Sequence, residues 1–263
     1  MLHLDLADHY RSGSSRMHRL DPRVKISGVL VFILIVSVLD PLRNGSWLSL
    51  ALLFVATLLV SKAAGLGAGY AFKRSYLALP FVLGAAALPF TVRGTVLAEV
   101  GGWEISREGT IWLLGIFSKS WVSIQIAILL SVLTPFPDML WALRSMRVPK
   151  PLLSIVAFMY RYLFVLLDEA LRLRRARASR CAVGAQRAGG GLLWRGRVAG
   201  GLVGNLMLRS FERSERIYNA MLARSYTGEL LTFGRPAVAS EDVYLLAAWF
   251  SFLILALVIA FMF

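Results

Sequence analysis

The chain has 263 residues, 57% of them hydrophobic, and a mean hydropathy of +0.66, which excludes an ordinary soluble domain and fits an integral membrane protein. A formal net charge of +14 leaves nucleic acid, anionic lipid or an acidic protein as partners. A single cysteine, Cys181, excludes an intramolecular disulfide and any cysteine cluster for zinc or iron–sulfur.

Residues 1–23 form a polar N-terminal arm carrying Asp5, Asp8, Arg11, Arg16 and Arg19. It lacks the apolar core of a secretory signal, so the first apolar segment is expected to act as its own uncleaved insertion signal. Five apolar blocks follow: Ile26–Leu39, Trp47–Val60, Leu77–Val92, Thr110–Leu133 and Val243–Phe263. The third is interrupted by Pro80 and Pro89, each of which removes a backbone donor, with Gly84 between them. It is expected to be bent and to face a membrane partner. The fourth carries Lys119 and Gln125, which are expected to make at most a packing or water contact.

Loop charge sets the orientation. The arm is basic, the loop after the second block holds Lys62, Lys73 and Arg74, and the loop after the third holds Glu99, Glu104 and Glu108 against Arg93 and Arg107. The positive-inside rule places the N-terminus, the second loop and the region after the fourth block in the cytoplasm. Five crossings leave the C-terminus outside. The expected organisation is a cytoplasmic arm over 1–23, four transmembrane helices over 24–134, a cytoplasmic helical insert over 135–228, and a linker with a final transmembrane helix over 229–263. The fold class is all-α: a polytopic membrane bundle with a cytoplasmic arm of long helices.

Most of the basic excess lies in that insert. From Arg144 to Arg224 the cations are nearly all arginine, opposed only by Asp168, Glu169, Glu212 and Glu215. Proline pairs at Pro135/Pro137 and Pro149/Pro151 bracket a short helix, Asp138–Met146, with Asp138 as N-cap. Leu152–Arg180 then runs without Pro or Gly and ends on Arg172, Arg174, Arg175, Arg177 and Arg180, cations that complement a helix C-terminus. A glycine-rich break (Gly184, Gly189, Gly190, Gly191, Gly196) precedes a second long helix, Val198–Arg224, with Glu212 and Arg216 as an i,i+4 pair and Gly228 as its stop.

Near the ends of these two helices one pattern repeats: Ala176-Arg177-Ala178 and Ala223-Arg224-Ser225. An arginine between small residues can push its planar fork into an acidic pocket without interference from its neighbours. Arg172, Arg174 and Arg175 equally suit anionic lipid headgroups. Ahead of the first block, His18–Lys25 places Asp21 as N-cap and Pro22 at the first helical position, with Arg23 and Lys25 reaching cytoplasmic headgroups.

Four stretches taken in order carry a resemblance: His18–Lys25, Tyr160-Arg161-Tyr162, Arg175–Arg180 and Ala220–Tyr226. Together they resemble the transmembrane T component of energy-coupling factor (ECF) transporters, in wording closest to CbiQ of cobalt and nickel importers. The resemblance implies two crossing coupling helices whose arginines, here Arg177 and Arg224, each dock into a groove of one of two ABC ATPase subunits. It also implies a metal-binding S-component partner, a bacterial inner-membrane location and no catalytic activity of the chain itself. Ala178 and Ser225 stand where that motif commonly has Gly. Both are small, but a left-handed backbone there would be less comfortable than with Gly.

No cofactor, metal or catalytic set is expected. His3, His9 and His18 share no helical face, and no Gly-Lys-Ser/Thr follows Gly189-Gly190-Gly191 to make a phosphate loop. Asn44-Gly45-Ser46 reads as a tight turn. Nucleic acid is set aside, since Arg172–Arg197 contains Trp194 as its lone aromatic. Two other readings remain: a T component for another micronutrient, and a membrane enzyme using the arginine-rich face to hold a phosphorylated or lipid substrate.

Overall fold

The computed structural model describes residues 13, 15–67, 69–92, 94–100, 103–180, 191–228 and 239–262. His3, His9, Arg93, Cys181, Gly184, Arg187, Gly189, Gly190 and all of residues 229–238 lie outside those residues, as does most of the N-terminal arm. The described chain is overwhelmingly helical and divides into two compact units, Asp8–Met146 with Arg235–Phe263, and Arg147–Gly234 with Met1–Ala7.

The first unit contains α1 (Arg16–Arg19), α2 (Pro22–Val38), α3 (Asn44–Ala63), α4 (Gly69–Arg74), a 3-10 turn at Ser75–Ala78, α5 (Leu79–Ala85), α6 (Leu88–Thr91), strands β1 (Val96–Val100) and β2 (Trp103–Ser106), α7 (Arg107–Leu133), α8 (Phe136–Ser145) and α11 (Ser240–Met262). The second contains α9 (Lys150–Ser179) and α10 (Leu192–Leu222). Helices α3, α7, α9 and α11 are long and apolar enough to cross a membrane. With 17 residues, α2 is shorter than these.

The bundle core is built by α2, α3, α7 and α11. Phe32, Val36, Leu53, Leu129, Leu253 and Ala256 are almost completely buried. Lipid is as apolar as leucine, so helix association rests on close packing and on polar contacts. Both are present. A Cβ on Gly115 would sit 2.4 Å from Pro41 Cγ, and one on Gly109 would sit 2.5 Å from the Leu88 carbonyl oxygen. Ser49 Oγ donates to the Ala256 carbonyl of α11 at 2.8 Å. Gln125 is fully buried and accepts a hydrogen bond from Thr57 Oγ1 at 2.9 Å, while Lys119 donates to the Ser37 carbonyl at 3.2 Å. These two polar residues therefore do more than fill space.

Several elements differ from the sequence reading. The third apolar block is not one bent span. It forms three short pieces, and Pro80 and Pro89 each stand at the second position of a new helix, where a missing N–H costs nothing. Gly109 lets α6 approach α7 closely. The loop that follows carries a two-stranded antiparallel hairpin pairing Val96 with Ser106 and Val100 with Trp103. Asn44 opens α3 rather than a turn; the turn lies at Pro41-Leu42. Asp138 is not the N-cap of α8. Pro135 holds that position, Pro137 fills the first turn, and Asp138 follows within it. Helix α8 also packs on α2, with Ala142 fully buried, so it belongs to the bundle's compact unit.

Candidate functional site

The two arginine motifs sit on different backbones. Helix α9 starts beside Pro149 and Pro151 and then runs unbroken through Ala176, Arg177 and Ala178 to Ser179. The Arg180 N–H closes the last turn on the Arg177 carbonyl at 3.0 Å. Arg177 is half-buried: its guanidinium carbon lies 5.5 Å from the centroid of the Trp194 ring at the start of α10. That is within range of a cation–π contact.

Helix α10 ends before its motif. Ala223, Arg224 and Ser225 form a terminal turn in which Ser225 has φ 58°. The Ser225 N–H donates to the Leu222 carbonyl and the Tyr226 N–H to the Met221 carbonyl, both at 3.0 Å. This pair of bonds is a Schellman cap with Ser225 as the left-handed residue. Gly228, the expected stop, comes after the helix has ended, because Ser225 already supplies the reversal. Arg224 is exposed, as are Ala223 and Ser225 around it. Around Arg177, Ala176 and Ala178 are exposed as well.

Helix α10 begins at Leu192 rather than Val198, with Gly191 extended at the N-cap position. Gly196 is therefore inside the helix rather than part of a break. It costs about 1 kcal/mol relative to Ala there. The consequence is geometric. Arg177 lies against Trp194, at one end of a helix whose other end carries Arg224. From Trp194 to Leu222 a straight helix covers about 40 Å at 1.5 Å per residue.

Between these ends the two helices are pinned together. Glu169 of α9 accepts from Arg209 Nη1 of α10 at 2.7 Å and from Arg172 one turn along its own helix. Arg209 Nε also donates to Asn205 Oδ1 at 3.1 Å. A polar groove of about 430 Å³ at this crossing includes Arg213 and Arg216. Arg172 thus has a protein partner, where the sequence alone left lipid headgroups as an equal alternative. The expected Glu212–Arg216 ion pair does not form. Arg209 and Trp194 were not singled out as site residues, and only the tertiary fold shows their partners, Glu169 and Arg177.

The His18–Lys25 segment is a structural junction. The Asp21 carboxylate accepts from the Arg23 N–H at 2.8 Å and caps α2, as its position before Pro22 indicated. Arg23 and Lys25 do not extend toward headgroups. The Arg23 guanidinium carbon lies 4.2 Å from the Trp141 ring centroid, and Lys25 Nζ donates to the carbonyls of His18 at 3.1 Å and Leu133 at 3.2 Å. Leu133 is the last residue of α7, where a cation meets unsatisfied carbonyls. The Asp21 N–H donates to Asp242 in the first turn of α11 at 3.1 Å. One short segment therefore ties together the start of α2, the end of α7, the start of α11 and α8. Among the described residues no group of three or more His, Cys, Asp or Glu is placed to hold a metal.

Comparison with known proteins adds the family. The family profile CbiQ, described as "Cobalt transport protein", matches residues 13–233. An uncharacterized protein of Methanocaldococcus jannaschii is 26% identical over 97% of this chain and 85% of its own length. The energy-coupling factor transporter transmembrane protein EcfT of Lacticaseibacillus paracasei is 26% identical over 85% of each chain. The cobalt transport protein CbiQ of Rhodobacter capsulatus is 25% identical over 65% of this chain and 70% of its own. With that profile covering most of its length and its apolar helical bundle, the chain belongs to the CbiQ family of cobalt transport proteins, as a membrane-embedded transport component related to EcfT.

Proposed function

We propose that the chain is the non-catalytic coupling subunit of an ECF-type importer. It passes ATP-driven motion from two ABC ATPase subunits to a metal-binding membrane partner. The observation that carries this reading is the placement of Arg177 and Arg224 at opposite ends of α10. An interval of about 40 Å, from the helical rise, suits two separate acidic grooves, one for each ATPase. Small exposed residues flank both arginines; Arg224 is itself exposed, and Arg177 is half-buried against Trp194. When the ATPases close, the two arginine ends move toward each other and the helices crossing at Glu169 transmit the shift.

The membrane partner has an apolar face to meet. Leu152, Ile155, Met159 and Leu163 recur every three or four residues along α9 and are all half-exposed or more. The basic second half of α9 and the net positive N-terminal segment favour, by the positive-inside rule, the cytoplasmic side of a bacterial inner membrane for each. Cobalt, with nickel as its chemical neighbour, is the cargo favoured by the family. The similarity to EcfT supports a second cargo class, another micronutrient, with the same coupling role. Co-purification of an ABC ATPase with the chain, together with cobalt uptake by the reconstituted complex, tests both levels. ATP hydrolysis by the pure chain alone would overturn the non-catalytic reading. ATPase capture without metal uptake would retain the coupling role and move the cargo.

A further inference from the structure

We propose that the bundle holds an anionic phospholipid, with one acyl chain in a wedge between α3 and α11 and the phosphate against Arg16, Arg19 and Lys62. Helices α3 and α11 pack tightly in one half of the bundle, where Ser49 Oγ reaches the Ala256 carbonyl at 2.8 Å and Leu53, Leu253 and Ala256 are fully buried. Toward the other end an apolar wedge opens beside them. This wedge has a volume of about 540 Å³ and, apart from Lys25 at its edge, is lined by apolar residues of α1, α2, α3, α7 and α11. Its α3 wall runs from Leu52 to Ala63. That is about 16 Å at the helical rise, against roughly 15 Å for half of a hydrocarbon core. The wedge therefore has the depth of one leaflet.

Its walls offer water almost no hydrogen-bond partners. An acyl chain suits a dry apolar wedge of one leaflet's depth. The mouth supplies the charge complement. Met17, Leu20 and Ala63 line the wedge, and their chain neighbours Arg16, Arg19 and Lys62 are exposed and carry no ion pair among the described residues. Among the described residues the nearby acids are Asp21 and Asp242, which are held in the junction by hydrogen bonds, and exposed Glu241. The unpaired charge at the mouth is thus positive and sits at headgroup level.

The test uses the full chain in nanodiscs containing phosphatidylglycerol and phosphatidylcholine, followed by native mass spectrometry of retained lipid. Quenching of Trp249, which lines the wedge, by acyl-brominated phosphatidylglycerol supplies a second reading, with Trp249→Phe defining its share of the signal. The wild-type chain is expected to retain phosphatidylglycerol selectively. Each cation removed in the series Arg16→Ala, Arg19→Ala, Lys62→Ala should lower that selectivity by roughly five-fold. Ala63→Phe, or Leu59→Phe on the same exposed rim, neither of which adds an indole, should abolish the Trp249 quenching while helical content stays unchanged. Equal retention of both lipids that the triple variant does not alter would overturn the proposal. So would Trp249 quenching that neither rim variant reduces.

Discussion

The two arginine motifs look alike in sequence and are built differently. The first is a stretch of uninterrupted helix, and its arginine rests on a neighbouring indole. The second is a helix cap, with Ser225 in left-handed backbone and its arginine exposed. A small third residue therefore serves two different purposes. At Ala178 it keeps the helix surface low beside Arg177. At Ser225 it permits a backbone turn that sets where Arg224 points. One arginine is an adjustable side chain on a rigid rod, and the other is a side chain aimed by its own backbone.

The strongest way to break the comparison is to remove both arginines. Arg177→Ala/Arg224→Ala should release the ATPases or uncouple them fully, read as loss of ATPase in a pull-down and loss of metal uptake. Each single change should cost roughly 2–5 kcal/mol of docking energy, since it strands a carboxylate in the partner's groove. Arg→Lys should rescue poorly, because a point charge lacks the bidentate fork. Arg174→Ala is the control: Arg174 is exposed and should change binding little. If Arg174→Ala and Arg177→Ala act alike, diffuse charge rather than docking governs the interface.

Much of this was legible in the sequence, and the failures have physical causes. Asp21-Pro22 announced the start of α2 because capping is local chemistry. The all-α membrane class followed from the apolar blocks. The absence of Gly from both motifs flagged Ala178 and Ser225 alike as places where left-handed backbone would be uncomfortable, and only Ser225 adopts it. What stayed hidden depends on partners distant in the chain. Glu169 and Arg209 are 40 residues apart, and no period connects them. Arg177 and Trp194 meet only because α10 continues back through Gly196 to Leu192. Lys25 was read as a lipid-facing cation because the carbonyl it caps, that of Leu133, lies 108 residues away. The third apolar block misled for another reason: its composition suits a span, but Pro80 and Pro89 each begin a new helix.

A smaller effect sharpens the contrast in backbone. The same residue, glycine, should act with opposite signs at the two third positions. Ser225→Gly relieves a left-handed residue and should stabilise the end of α10 by about 1 kcal/mol. Ala178→Gly places glycine inside a helix and should destabilise the end of α9 by about 1 kcal/mol. Ser225→Val should be worse than wild type, since a β-branched side chain resists positive φ. Amide hydrogen exchange at Met221–Tyr226 and at Arg174–Ser179 reads both ends separately. Slower exchange at both ends with glycine would mean that Ala178 also needs left-handed backbone, and the two motifs would then be equivalent.

The smallest effect concerns Trp194. Its ring holds Arg177 at the start of α10, and a cation over an exposed aromatic face contributes about 0.5–1 kcal/mol. Docking must draw the guanidinium off that ring before it can enter an acidic groove. Trp194→Ala should therefore leave Arg224-dependent binding unchanged and tighten the Arg177-dependent contact by about two- to five-fold, the same contribution expressed as an affinity ratio. In an Arg177→Ala background the effect of Trp194→Ala should vanish, since no cation remains to release. The measurement is ATPase affinity across this double-mutant cycle, which isolates the pair from other consequences of losing the indole. Weaker binding in Trp194→Ala would give the ring the opposite role, that of pre-orienting Arg177 toward the groove. The first end would then be aimed as firmly as the second, by a side chain instead of by backbone.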